Sequence, residues 1–291
     1  MKQRKECFRD NLMERHRKQL ASTLVIAFAL IAVVATFLLP PSLQSQTQAK
    51  PKGIDPKLLT NAMAGNAEAQ LNVGGAYLIG DGVPQDYVQA AVWFRKAAEQ
   101  GRADAQYYLG GLYREGHGFP QDSAQAAIWL RKAAEQGNAF AQSDLGWLYS
   151  EGQGVPQDYV QSVAWYRKAA EQGNARAQYA LGRAYEEGKG VQQDYVQSAA
   201  WFRKAAEQGD ADAQFGLALW YGVGIGVPQD YSEAYFWASL AAATGRHSVG
   251  GKSDDDYASY RDSVASDLTP SDLTRVQERA RKWFEAHPVQ P

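Results

Sequence analysis

The run GRHSVGGKS at residues 245–253 comes close to a loop that cradles phosphate. Such a loop needs a glycine, four residues, then Gly-Lys and Ser or Thr, set between a strand and a helix so that backbone N–H groups and the lysine surround the phosphates. Here five residues separate Gly245 from Gly251, Arg246 stands where the glycine is required, and no strand pattern precedes the run. No nucleotide site is expected. The other reactive side chains are dispersed. His16, His117, His247 and His287 form no i, i+4 pair and have no cysteine beside them, so they make no zinc set. Asp254-Asp255-Asp256 lacks the remaining spacing of a calcium loop and reads as a helix start. A GxSxG nucleophile motif is absent, and the single cysteine, Cys7, reads as an ordinary thiol. The expectation is no catalytic residue, no metal and no cofactor, which leaves recognition by a surface.

A surface depends on the elements that carry it, and here they repeat. VWFRKAAEQG, IWLRKAAEQG, AWYRKAAEQG and AWFRKAAEQG end at Gly101, Gly137, Gly173 and Gly209, a spacing of 36. One more step lands on Gly245, giving five units, 66–101, 102–137, 138–173, 174–209 and 210–245. Each unit holds two helical patterns. In helix A, Ala105, Leu109, Leu112 and Tyr113 repeat the stripe of Ala69, Val73, Ala76 and Tyr77 at i, i+4, i+7 and i+8. Helix B runs from Tyr87 to Gln100, with Ala90, Ala91, Phe94, Ala97 and Ala98 on one side. Asp86, Asp122, Asp158, Asp194 and Asp230 precede the B helices with Gln or Glu three residues on, which predicts capping boxes. Asn66, Asn138, Asn174 and Asp210 cap the A helices, and Arg102 breaks that rule. The GxG turns, such as GDGVPQ and GQGVPQ, follow helices rather than strands and lack the binding lysine, so they read as turns. Gly74, Gly110, Gly146 and Gly182 cost helix propensity, about 1 kcal/mol each, which predicts close packing there. Trp129, Trp165 and Trp201 are expected in the core.

The pattern AEAQLNVGGAYLIGDGVPQDYVQAAVWFRKAAEQG resembles the Sel-1-like repeat family, a branch of the tetratricopeptide-like helical repeats. The resemblance covers residues 66 to 245. It implies an all-α fold, an α/α solenoid of antiparallel helix pairs, acting as a protein-binding scaffold in bacterial envelopes or secretory pathways. Some cysteine-rich relatives resemble penicillin-binding proteins in activity, but their paired cysteines are missing here. In tetratricopeptide-like solenoids helix A lines the concave surface. On that helix Tyr108, Phe140 and Trp147 with Asp144, Glu151, Arg176 and Arg183 break the repeat and form the candidate partner-binding patch. The competing reading is that Phe140, Trp147, Tyr107 and Tyr179 pack between units.

The ends have their own chemistry. From Ala21 to Leu39 no residue is charged, long enough for one membrane crossing as a helix. Basic residues dominate the 1–20 segment before it, which places the N-terminus in the cytoplasm and the repeats in the periplasm, as a single-pass inner-membrane protein of a Gram-negative bacterium. Cleavage after Ala49 is the alternative. Residues 40–54 read as a linker, 55–65 as a capping helix begun by Asp55-Pro56, and 246–291 as C-terminal capping helices packing on Leu240 and Ala243. The net charge of -2 gives no long-range attraction to nucleic acid. The expected function is a non-enzymatic, membrane-anchored periplasmic scaffold for a protein partner. The alternatives are an envelope enzyme acting on peptidoglycan or β-lactams, and a subunit of a polysaccharide or secretion assembly.

Overall fold

The structure, a computed structural model, describes residues 53–244 and 254–287. The 21–39 segment, the GRHSVGGKS run and the Gly245 cap lie outside the described residues. Ile54–Pro291 forms one compact unit, and within it thirteen helices and no strand are described. They are α1 (Pro56–Met63), α2 (Ala67–Ile79), α3 (Tyr87–Glu99), α4 (Ala103–Glu115), α5 (Ser123–Glu135), α6 (Ala139–Glu151), α7 (Tyr159–Glu171), α8 (Ala175–Glu187), α9 (Tyr195–Glu207), α10 (Ala211–Val223), α11 (Tyr231–Thr244), α12 (Asp254–Ala265) and α13 (Pro270–Ala286). A helices are α2, α4, α6, α8 and α10; B helices are α3, α5, α7, α9 and α11. Each packs on the one before and the one after, as a helical solenoid must. No described helix is long and apolar enough to cross a membrane.

The caps differ from expectation in one respect. Asp158 accepts from the N–H groups of Val160 and Gln161 at 2.9 and 3.0 Å; Asp122, Asp194 and Asp230 make the same pair of bonds, and Asp86 accepts from the Gln89 N–H. The reciprocal half of the box does not form, because the Asp158 N–H already donates to the Tyr149 carbonyl at 2.9 Å. That bond recurs in every repeat and ties each B helix to the A helix before it. Arg102 caps nothing with its side chain, as its chemistry dictates.

Two glycine positions show what the repeat protects. Gly154, the second glycine of GQGVPQ, has φ +70° and a Cβ there would overlap the Ser123 carbonyl oxygen. The GxG turn is thus a contact between repeats. At Gly146 a Cβ would fall 2.8 Å from Cδ1 of Tyr166, so the A helix lies against its B helix.

The tryptophans are not the deep core. Trp129, Trp165 and Trp201 are half-buried, each with a lysine Nζ 3.9 to 4.1 Å from the ring centroid. The next residue points inward instead: Leu130 and Phe202 are buried, with Tyr166 between them. Each tryptophan packs on the core that joins its own repeat to the one before. A buried glutamine relay runs beside them. Gln142 Nε2 donates to the Ala134 carbonyl at 3.0 Å, and its Oε1 accepts from Gln172 Nε2 at 2.7 Å. At the start, Gln70 donates to the Ala62 carbonyl of α1 at 3.1 Å, so α1 stands in for a B helix.

At the far end α12 and α13 both pack on α11. Leu240 is buried against Val264, Val276 and Ala280, whereas Ala243 is exposed. Ala241, not Ala243, meets the cap, beside Tyr257 and Phe215.

Candidate partner-binding groove

A groove of about 370 Å³ opens between α6 and α8, with α7 as its floor and the start of α10 at one end. Trp147 and Glu151 come from α6, Tyr159 and Tyr166 from α7, and Tyr179 and Arg183 from α8. Its walls are A helices and its floor a B helix, because the 36-residue period brings successive A helices side by side. The lining is where the repeat departs from itself. Tyr166 occupies the position held by Phe94, Leu130 and Phe202 in other repeats, and Trp147 the position of Gly75 and Gly111.

The seven expected residues divide between two places. Trp147, Glu151, Arg176 and Arg183 line the groove. Tyr108 and Phe140 do not; they flank Tyr107, with ring centroids at 5.4 and 5.9 Å, and Tyr108 also stacks on Phe94 at 5.0 Å. Asp144 is correctly placed on α6 but buried, 4% exposed. Its Oδ2 accepts from Arg114 Nη1 at 2.5 Å and its Oδ1 from Arg176 Nη1 at 3.0 Å. An expected contact for a partner is thus a tie across three repeats. Arg183 turns along its own helix toward Glu186 and Glu187. The packing alternative holds for Tyr107, which lies on the core joining the second and third units, and in part for Trp147, which touches two cores and still lines the groove.

Tyr159, Tyr166, Tyr179, Glu187 and Lys189 were not anticipated in the lining. A signal for Tyr166 was available, since it is a hydroxyl at a stripe position that is otherwise apolar. Tyr159 carried none, because tyrosine recurs at its repeat position as Tyr87, Tyr195 and Tyr231.

Burial favours the neutral form of two groove tyrosines, Tyr166 and Tyr179. Burial pushes the Tyr166 hydroxyl up to about 12, with Arg176 and the Ser150 hydroxyl opposing and Glu151 and Asp144 adding to the rise. Tyr179 is pushed up to about 12 by burial and by Asp212. Both stay phenols at neutral pH, able to donate a hydrogen bond beside an apolar ring face. For Glu187 burial favours the neutral form, but Lys189 and Arg183 outweigh it and hold the carboxyl below its usual range. Among the described residues no group of three His, Cys, Asp or Glu side chains could hold a metal ion.

The profile of the Sel1 repeat matches residues 67–101, 103–138, 139–174, 175–210 and 211–245, with a further partial match at 268–286, on α13. The closing helix thus has the character of a sixth, incomplete repeat. No curated protein sequence matches the chain. Among solved structures, a Sel1 repeat protein from Oxalobacter formigenes is 38% identical with a TM-score of 0.61, the alignment covering 66% of this chain and 79% of that one. A protective antigen of uropathogenic Escherichia coli displaying an SLR fold is 35% identical with a TM-score of 0.63, covering 78% of this chain; this chain spans 55% of that antigen. Proteins of this kind are generally non-catalytic helical scaffolds for protein–protein interaction. With repeat profile, turn, caps and buried glutamine all recurring over most of its length, the chain belongs to the Sel1 repeat family.

Proposed function

We propose that this protein is a non-enzymatic, membrane-anchored scaffold of the bacterial envelope, which holds a segment of a partner protein in the groove between α6 and α8 and presents it in the periplasm. The observation that carries the reading is the coincidence of the groove with the positions where the repeat changes. Trp147 stands where the other units have Gly75, Gly111, Arg183 and Leu219, Ser150 where they have Leu78, Arg114, Glu186 and Gly222, and Tyr166 where they hold an apolar side chain. Aromatic side chains in a concave site are the usual anchors of an interface. The uncharged run at 21–39 behind a basic segment supports the anchor and the orientation.

A photocrosslinking residue placed at position 147 in the intact cell tests this against the same residue at Val160, which is exposed on α7 outside the groove. A discrete protein adduct from position 147 that is absent from position 160 is expected. Equal adducts from both positions would remove the groove from the function. Recovery of the protein in the cytosolic rather than the membrane fraction would remove the anchor.

A further inference from the structure

Three glutamates end the A helices of successive repeats at one repeat position: Glu115 on α4, Glu151 on α6 and Glu187 on α8. The outer two are neutralised within the chain. Arg114 reaches Glu115 at 3.0 Å and His117 Nδ1 reaches it at 3.2 Å, the histidine ring stacked on Tyr87 at 4.5 Å. Arg183 and Lys189 meet Glu187, the latter at 2.7 Å, and the Lys189 ammonium lies 5.6 Å from the centre of the Tyr159 ring. At Glu187 the held ammonium lies against an aromatic ring, where Coulomb attraction and the ring quadrupole act together, and at Glu115 the His117 imidazole is stacked on a ring.

Glu151 stands between them without such a group. Ser150 replaces Arg114, Gln153 replaces His117 and Lys189, and Trp147 replaces Arg183. Among the described residues its recorded contact is the Ser150 hydroxyl at 3.3 Å, and no salt bridge reaches it. The C-terminal end of α6 adds the negative pole of a helix dipole at the same point. Around it the groove lining carries four carboxylates against three cations, a net negative balance.

We propose that the groove recognises a lysine or arginine side chain on an extended segment of the partner protein, its stem laid on Trp147 and its charge met by Glu151. This rests on the partner-groove reading above and names the chemistry it selects. A protein segment fits better than a small diffusible amine, because Tyr159, Tyr166, Tyr179 and Val163 offer apolar lining that only flanking side chains would cover.

The test uses the immobilised full chain and pooled random peptides that share one fixed central residue: lysine, arginine, norleucine or glutamate. Retention of the basic pools over the norleucine pool by about fivefold is expected, the scale of an ion pair joined to a cation–π contact. Glu151→Gln should abolish that preference with an unchanged melting temperature, Glu151→Lys should shift it toward the glutamate pool, and Glu115→Gln, outside the groove, should leave it intact. Equal retention of lysine and norleucine pools by the unmodified protein would overturn the basic side chain while leaving a peptide groove. Retention of no pool, or retention indifferent to Trp147→Ala, would overturn the groove itself and this proposal with it.

Discussion

Arg114 in the second repeat and Asp144 in the third are joined at 2.5 Å, Nη1 to Oδ2, and the carboxylate between them is nearly sealed from water. Arg176 of the fourth repeat takes the other oxygen at 3.0 Å. Asp144→Asn keeps the shape and removes the charge that two guanidinium groups share. A loss of about 1–3 kcal/mol is expected, since charge-assisted bonds to a buried group are lost while the arginines retain some contact with solvent. Urea unfolding followed by circular dichroism checks it; an unchanged midpoint would mean that the tie contributes nothing.

The adjacent pair Trp201 and Phe202 separates the edge of the core from its centre. Phe202 is 2% exposed, whereas Trp201 is half-buried beneath Lys204. Phe202→Ala should cost about 3–5 kcal/mol, and Trp201→Ala less, despite the larger side chain. The order of their melting temperatures is the measurement.

Gln142 bridges a carbonyl of the preceding B helix and the amide of Gln172. Gln142→Leu removes one bond from each, the Ala134 carbonyl keeping the Gly137 N–H and the Gln172 amide keeping the Lys168 carbonyl, and a loss of about 0.5–1.5 kcal/mol is expected. Faster amide exchange at the junction of α5 and α6 should accompany it.

Tyr166 gives an alkaline signature. Its folded pKa, about 12, lies above the value of 10.0 for a free tyrosine. The folded state therefore holds its proton more tightly, so the associated stability is full below pH 10 and is lost as pH rises toward 12. Tyr166→Phe, which restores the residue found at positions 94 and 202, should unfold less steeply over that window and stay close to the parent at pH 7. Parallel melts at pH 7 and above pH 10 decide it.

The C-terminal helices close the array through Tyr257. Its side chain is fully buried, its ring lies 4.8 Å from Phe215, and its hydroxyl donates to Asp212 at 2.9 Å. Tyr257→Ala should cost about 3–5 kcal/mol, and removal of residues 252–291 should expose Leu240 and lower the melting temperature further. Equal stability of the shortened chain would show that α12 and α13 are not a cap.

The helices, their pairing and their caps were legible because a 36-residue period repeats the same local rules: a stripe for one buried face, aspartate or asparagine before every repeat helix but the one that follows Arg102, and glycine at or just beyond its end. The capping box was only half legible, since whether a backbone N–H is free depends on the carbonyl of another helix. The fate of the tryptophans was not legible either. A stripe locates a side chain to within a helical sector, and the choice between Trp165 and Tyr166 as the buried member is made by how the neighbouring repeat packs.

By itself the sequence determined that the chain is a helical array, that its glycines are turns and close contacts, and which A-helix positions depart from the repeat. Only the tertiary structure decided how those departures assemble. It withdrew Asp144 into a tie between repeats, set Tyr108 and Phe140 apart from the groove, and brought Tyr159 and Tyr166 from a B helix beneath Trp147 and Glu151. The physical reason is that local composition fixes helices through interactions a few residues apart, whereas the groove joins side chains from successive repeats whose meeting depends on the packing of one unit against the next.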